Sequence, residues 1–284
     1  TNGAEIIAMV EERDMDTGEE NIVIRAGAGV GTVTKAGLSI PVGEPAINPI
    51  PRQMIRESMS EVLQKLNIEM PLLVTISVHD GKQLAEKTLN QRLGIVGGLS
   101  ILGTTGIVRP VSAKAWTDTI DASMRVARAA GLEQVVLSTG RTSEAAVEKI
   151  VHLPEEALVM MGDYLFYALT AAQSHGFDQI YLAGMWAKIL KCALGIPQTH
   201  VRHGVLEVGQ AVGLLLELGL DKKNADTLLT ANTAREILLH LRKQSRDDLI
   251  RAVCIRARQY AEQCSGLPVN IYLVTSEDGV LEHV

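Results

Sequence analysis

Three glycines, Gly140, Gly162 and Gly184, stand 22 residues apart, and each follows a short apolar run and precedes a segment with helical spacing. The three units read VVLSTGRTSEAAVEKIV, LVMMGDYLFYALTAAQSHGF and IYLAGMWAKILKCALGI. Apolar runs this continuous are strands buried on both faces, which means parallel strands joined by right-handed helical crossovers. The glycine loops then line the carboxyl edge of one sheet, where open α/β folds hold their ligands. Asp163, next to the second glycine, occupies the place where a carboxylate meets ribose hydroxyls in nucleotide-binding sheets. It is equally placed to cap its own helix.

The first 112 residues follow a different grammar. Glu5 to Val10 reads as a strand, and Ile22 to Arg25 as its hairpin partner, with Thr17-Gly18 at the turn. A glycine-rich stretch, Ala26 to Leu38, lacks the GxxxxGK[ST] spacing of a phosphate loop. After the proline-rich loop Gly43 to Pro51, the residues Met54, Ile55, Met59, Val62, Leu63 and Leu66 mark an amphipathic helix from Arg52 onward. Leu72 to Val78 is a β-branched strand. Leu93 to Pro110, LGIVGGLSILGTTGIVRP, is glycine-dense again, and its Gly98, Ser100, Gly103, Thr104, Thr105 and Gly106 can shape a backbone surface for a small polar ligand. The same stretch also reads as two short buried strands with glycine kinks.

The fold class expected is therefore α/β with α+β. Residues 1–112 form an α+β domain with glycine-rich loops. Residues 113–284 form a Rossmann-like parallel-sheet domain built from three 22-residue strand-loop-helix units, with C-terminal helices and a closing strand over 269–274. Helices are expected at Ile120 to Ala130 and, after an Ala231-Asn232-Thr233 cap, at Ala234 to Lys243.

Composition enters as exclusion. A net charge of -6 and 3% aromatic residues argue against a nucleic-acid partner. Cys192, Cys254 and Cys264 show no CxxC spacing, so no thiolate metal site is expected and a cytoplasmic, reducing setting fits. His200 and His203 form only an HxxH pair, too few ligands for a metal. The apolar runs are too short for a membrane helix, and a homodimer is the base-rate assembly.

Several of these stretches together are similar to a known family. GVGTVTKAGL (Gly29 to Leu38), EPAINPIPRQMI (Glu44 to Ile55), the long segment from Asp80 to Ser112 and the closing TSEDGVLE (Thr275 to Glu282) resemble the CbiD-type cobalt-precorrin-5B methyltransferases. The resemblance implies S-adenosyl-L-methionine as methyl donor and a small-molecule macrocycle as substrate. Cobalt would enter only inside that substrate. The implied reaction is methylation of ring carbon 1 of cobalt-precorrin-5B to cobalt-precorrin-6A, in anaerobic cobalamin biosynthesis. The family begins with a GxTTGxCA-like segment that has no counterpart here, and its third βα loop carries a histidine and a glycine where this chain has Met185 and Ala187. These departures frame the alternative expectation, a truncated or diverged relative that binds a tetrapyrrole or nucleotide without turnover.

Methyl transfer from a sulfonium needs alignment and exclusion of water more than a nucleophilic side chain. Gly98, Ser100, Gly103, Thr104, Thr105 and Gly106, or Gly140, Gly162, Asp163 and Gly184, are the candidates for the donor. Lys35, Arg52, Lys82, Arg109 and Lys188, with Arg202 beside them, are candidates for the carboxylate arms of the macrocycle. His79 and His200 are candidates for a proton acceptor.

Overall fold

The computed structural model describes residues 3–14, 20–102, 113–198 and 207–284. The chain divides into two compact units, Thr1–Val111 and Ser112–Val284.

In the first unit β1 (Ile6–Glu12), β2 (Ile22–Ala26), β3 (Thr32–Val33), α1 (Pro49–Leu66), β4 (Leu72–Val78), α2 (Gly81–Ala85) and β5 (Ile95–Val96) follow in order. The expected hairpin is not formed. β1 and β2 flank β4, β1 antiparallel and β2 parallel to it. The physical reason lies in β4, whose residues alternate buried and half-buried and whose two edges are both hydrogen-bonded in this arrangement. A β1–β2 hairpin would have left one of those edges open. The proposed turn residues Thr17 and Gly18 lie outside the described residues.

α1 begins at Pro49, earlier than expected, because a proline at the first helical position has no N–H to lose. It stops at Asn67, which adopts the left-handed conformation at φ 54°. Ile55, Met59 and Leu63 pack on Ile22, Ile24, Val74 and Ile76 of the sheet. Met54, Val62 and Leu66 stay exposed, because residues spaced by four make the contact stripe and their neighbours are rotated away from it.

The two glycine-rich stretches of this unit meet each other. β3 pairs with β5, and Val30 and Ile47 bridge to Leu99 and Ile101. Their glycines serve close backbone approach. A Cβ on Gly98 or on Gly81 would lie 2.2 Å from the Gly29 carbonyl oxygen, and one on Gly29, at φ 77°, would lie 2.1 Å from the Val78 oxygen.

The second unit runs α3 (Ala113–Ala129), β6 (Gln134–Ser138), α4 (Arg141–Glu148), β7 (Leu158–Met160), α5 (Leu165–Ser174), β8 (Gln179–Met185) and α6 (Trp186–Ala193). It continues with α7 (Val208–Glu217), α8 (Lys222–Leu228), α9 (Ala234–Lys243), α10 (Asp247–Ser265), β9 (Val269–Thr275) and β10 (Gly279–His283). The sheet order is β10-β9-β8-β6-β7, parallel throughout except for β10. Two details correct the Rossmann-like, three-unit expectation. Counted along the chain the order is 2-1-3-4-5, not that of two dinucleotide-binding halves. Gly184 also lies inside β8 rather than in a loop after it. β9 is an inner strand, and the sheet edge is supplied by β10 through a hairpin that Thr275 and Asp278 close with mutual hydrogen bonds.

Right-handed crossovers place α4 on one face of this sheet and the remaining helices on the other, because the chain reverses direction across the sheet after β7. Val147 of α4 packs with Val136, Leu158, Ala183 and Val274 on one side. The larger core, with Leu137, Leu169, Leu182, Ile189, Val253 and Ile271, fills the other. α3 is tied to α5 by Asp121, which accepts from the Tyr167 phenol at 2.5 Å and lies 3.0 Å from His175 Nε2.

Burial, then the hydrogen bond and charge of Asp121, push Tyr167 up to about 12 from an ordinary 10. Because the unfolded tyrosine ionises first, stability is expected to fall as pH rises from about 10 through about 12. Spectroscopic titration of tyrosinate should show one late-ionising tyrosine that moves earlier in Asp121→Ala.

Candidate functional site at the carboxyl edge of the second sheet

The strand order reverses between β6 and β8, and at such a switch point the connections leave in opposite directions and open a crevice. The backbone here is held from both sides. Thr139 N–H donates to the Ala183 carbonyl (3.0 Å) and Met161 N–H to that of Ser138 (2.9 Å). Thr139 and Ser143 bring their hydroxyls within 3.3 Å, Ser143 donates to the Gly140 carbonyl (2.9 Å), and Ser138 donates to the buried Glu144 carboxylate (3.1 Å). The strand end and the first turn of α4 are thus locked before any ligand arrives.

The three marker glycines differ in what surrounds them. Among the described residues a Cβ on Gly140 would meet nothing within 4 Å, so the space that they leave before it is open. One on Gly184 would press on Ile189 (3.1 Å) and Thr139 (3.3 Å), so Gly184 serves packing. Gly162 is left-handed at φ 57°, and a Cβ there would lie 3.4 Å from the Trp116 ring, which stacks on Tyr164.

Asp163 forms an ion pair with Lys188 near the start of α6, each about one quarter exposed (27% and 26%). The N-cap of α5 is Tyr164, which makes no side-chain cap hydrogen bond. One turn beyond Lys188, Lys191 is buried, at 4% exposure. Its ammonium is held below the ordinary lysine range by burial and next by Lys188, with Asp163 acting in the opposite sense. Trp186, at the head of α6, buries an indole N–H that has no acceptor among the described residues.

The other sequence-predicted residues fall elsewhere. In the first unit, Ser100 donates to Asn90, which itself donates to the Gly98 carbonyl, so both belong to a local brace. Lys35 donates to the Arg92 carbonyl (3.2 Å). Arg52 staples the preceding loop through the Ile47 and Pro45 carbonyls and Glu44, and lines a groove of about 360 Å3 with Arg25 and Arg56. Lys82 is exposed on α2, and His79 is an exposed neighbour of Asp80 at 3.5 Å. Gly103, Thr104, Thr105, Gly106, Arg109, His200 and Arg202 lie outside the described residues. Among the described residues no group of three or more His, Cys, Asp or Glu could hold a metal ion, and no helix is long and apolar enough to cross a membrane.

Of the predicted residues that are described, Gly140, Gly162, Asp163, Gly184 and Lys188 are brought to one edge. Thr139, Ser143, Glu144 and Lys191 join them. The hydroxyl-rich run STGRTSE after the first strand and the i, i+3 lysines of KILK in an otherwise apolar helix were the signals for them.

Residues 1–110 match the family described as CbiD, and residues 198–283 match its C-terminal domain. A cobalt-precorrin-5B C(1)-methyltransferase of Desulfotalea psychrophila is 55% identical over 287 residues, covering 100% of this chain and 79% of the relative. This chain belongs to the CbiD family. A protein of the same name from Geobacter sulfurreducens is 47% identical, covering 99% of this chain and 79% of its own length. A crystal structure of a cobalamin biosynthesis protein (cbiD) from Archaeoglobus fulgidus is 28% identical, covering 67% of this chain and 56% of that one, with a TM-score of 0.31. Within this CbiD chain, the longest stretch that neither family match covers, 111–197, carries the β6, β7 and β8 units whose ends make the edge described above.

Proposed function

We propose that this chain transfers a methyl group from S-adenosylmethionine to ring carbon 1 of cobalt-precorrin-5B, giving cobalt-precorrin-6A in cobalamin biosynthesis. The observation that carries the reading is 55% identity, across the whole chain, with a relative named for that methylation. The chemistry asks for no side-chain nucleophile: a carbon–sulfur bond breaks as a carbon–carbon bond forms, in line. The donor supplies an electrophilic methyl. The protein supplies alignment and a dry enclosure.

The carboxyl edge of the second sheet fits the donor. Gly140 leaves room in front of a braced strand end, Thr139 offers a half-buried hydroxyl, and the Asp163–Lys188 pair offers both signs of charge. The second glycine-rich surface, through Gly98, Ser100 and the 103–106 stretch, is then left to the macrocycle, with Lys35, Arg52, Lys82 and Arg109 toward its carboxylates. Arg52 and Lys35 can serve there only by exchanging some of their present carbonyl contacts. Cobalt belongs to the substrate. The reaction belongs in the cytoplasm, where the buried thiols of Cys192 and Cys254, pushed up by burial, stay protonated and unreactive. A homodimer is the expected assembly, checked by sedimentation velocity.

Incubation of the purified chain with cobalt-precorrin-5B and S-adenosylmethionine is expected to add the mass of one methyl to the macrocycle and release S-adenosylhomocysteine in equal amount. Absence of both products, in a substrate batch that a characterised relative converts, overturns the reading.

A further inference from the structure

We propose that Asp163 and Lys188 form the receptor for the α-amino-carboxylate end of the methyl donor, Lys188 taking its carboxylate and Asp163 its α-ammonium. This rests on the reading of the chain as an S-adenosylmethionine enzyme and deepens it by dividing the donor between two parts of one sheet edge.

The amino-acid end of the donor is a zwitterion, two opposite charges a few bonds apart. The surface complementary to it is an ion pair laid against it head to tail, so that each charge faces its opposite. Asp163 and Lys188 are such a pair. A wholly exposed pair would gain little, because water screens it, and a fully buried one would be closed to a ligand. This one is about one quarter exposed on each side, reachable and yet partly shielded.

The two residues reach this place from separate connections, Asp163 from the end of β7 and Lys188 from α6 after β8, so the receptor exists only because β6 brings the two strand ends to either side of itself.

The rest of the donor then has a direction. From the charged pair the open space lies before Gly140, beside the half-buried Thr139 hydroxyl, which suits a nucleoside bearing ribose oxygens. Gly184, packed against Thr139 and Ile189, forms the floor between the two.

The test compares two ligands by calorimetric titration of the full chain. S-adenosylhomocysteine keeps the amino-acid end, and 5′-methylthioadenosine lacks it while retaining adenosine and sulfur. Wild type is expected to bind the first at least about tenfold more tightly, a difference of about 1.4 kcal/mol. Lys188→Met and Asp163→Asn are each expected to abolish most of that preference while leaving the affinity for 5′-methylthioadenosine unchanged, which also shows that the variants are folded. Equal affinity of wild type for both ligands overturns this assignment and leaves the donor reading standing, as does a preference that survives in both variants. Failure of wild type to bind either ligand overturns the donor reading and the assignment with it. Should one variant not fold, the wild-type ligand pair and the other variant decide.

Discussion

Gly29→Ala is expected to destabilise the first unit by about 3 kcal/mol or more, an effect as large as loss of a core side chain. Two costs add at this position. Its φ of 77° is left-handed, which charges an alanine roughly 1–2 kcal/mol. Its new Cβ would stand 2.1 Å from the carbonyl oxygen of Val78 and 3.1 Å from the backbone of Gly81, and backbone cannot rotate away as a side chain can. Relief requires β4 to part from the glycine stretch, breaking the hydrogen bond that Val78 N–H donates to Ala28 and the one that Leu99 N–H donates to Gly29. Gly43→Ala is the control, for Gly43 is also left-handed, at φ 92°, but no described residue lies within 4 Å of its Cβ position. It is expected to cost only about 1 kcal/mol. Hydrogen exchange at the β4 amides, followed by mass spectrometry, reads both variants; equal protection in the two would show that the backbone contact carries no weight.

Gly140→Val is expected to lower kcat/KM at least about 100-fold, near 2.7 kcal/mol of transition-state stabilisation, with little change in stability. The position asks for no glycine on folding grounds. Its φ of 171° is extended backbone open to any residue, and its Cβ would touch nothing among the described residues. A branched side chain there occupies the open space that the donor reading assigns to the nucleoside. Gly184→Ala makes the contrast: its Cβ presses on Ile189 and Thr139, so it is expected to lower stability by about 1 kcal/mol before it touches binding. Thermal unfolding and steady-state kinetics on both proteins separate the two effects. A Gly140→Val enzyme with full activity would remove the carboxyl edge from the donor site.

The two experiments separate glycines that look alike in sequence. Gly29, Gly81 and Gly98 are spent on bringing three backbone segments together, so their density near the centre of the first unit reports packing. Gly140 is spent on leaving space. No local pattern distinguishes these uses, because each depends on what another part of the chain places opposite the missing Cβ.

What the sequence determined by itself was local. β-branched alternation specified β4, spacing by three and four specified α1, and the 22-residue recurrence of strand, glycine and helix specified a run of parallel strands with their ends on one side. Such patterns follow from the geometry of one segment and from which of its faces must leave water. The tertiary structure decided partners and order. It placed β4 between β1 and β2 in place of a hairpin, set β6 between β7 and β8, and moved Gly184 into a strand. It also joined Asp163 to Lys188 across 25 residues and buried Lys191 beside them. Strand partnership and the environment of a charge are settled by nonlocal hydrogen bonding and desolvation, which act between segments and leave no period in the chain that carries them.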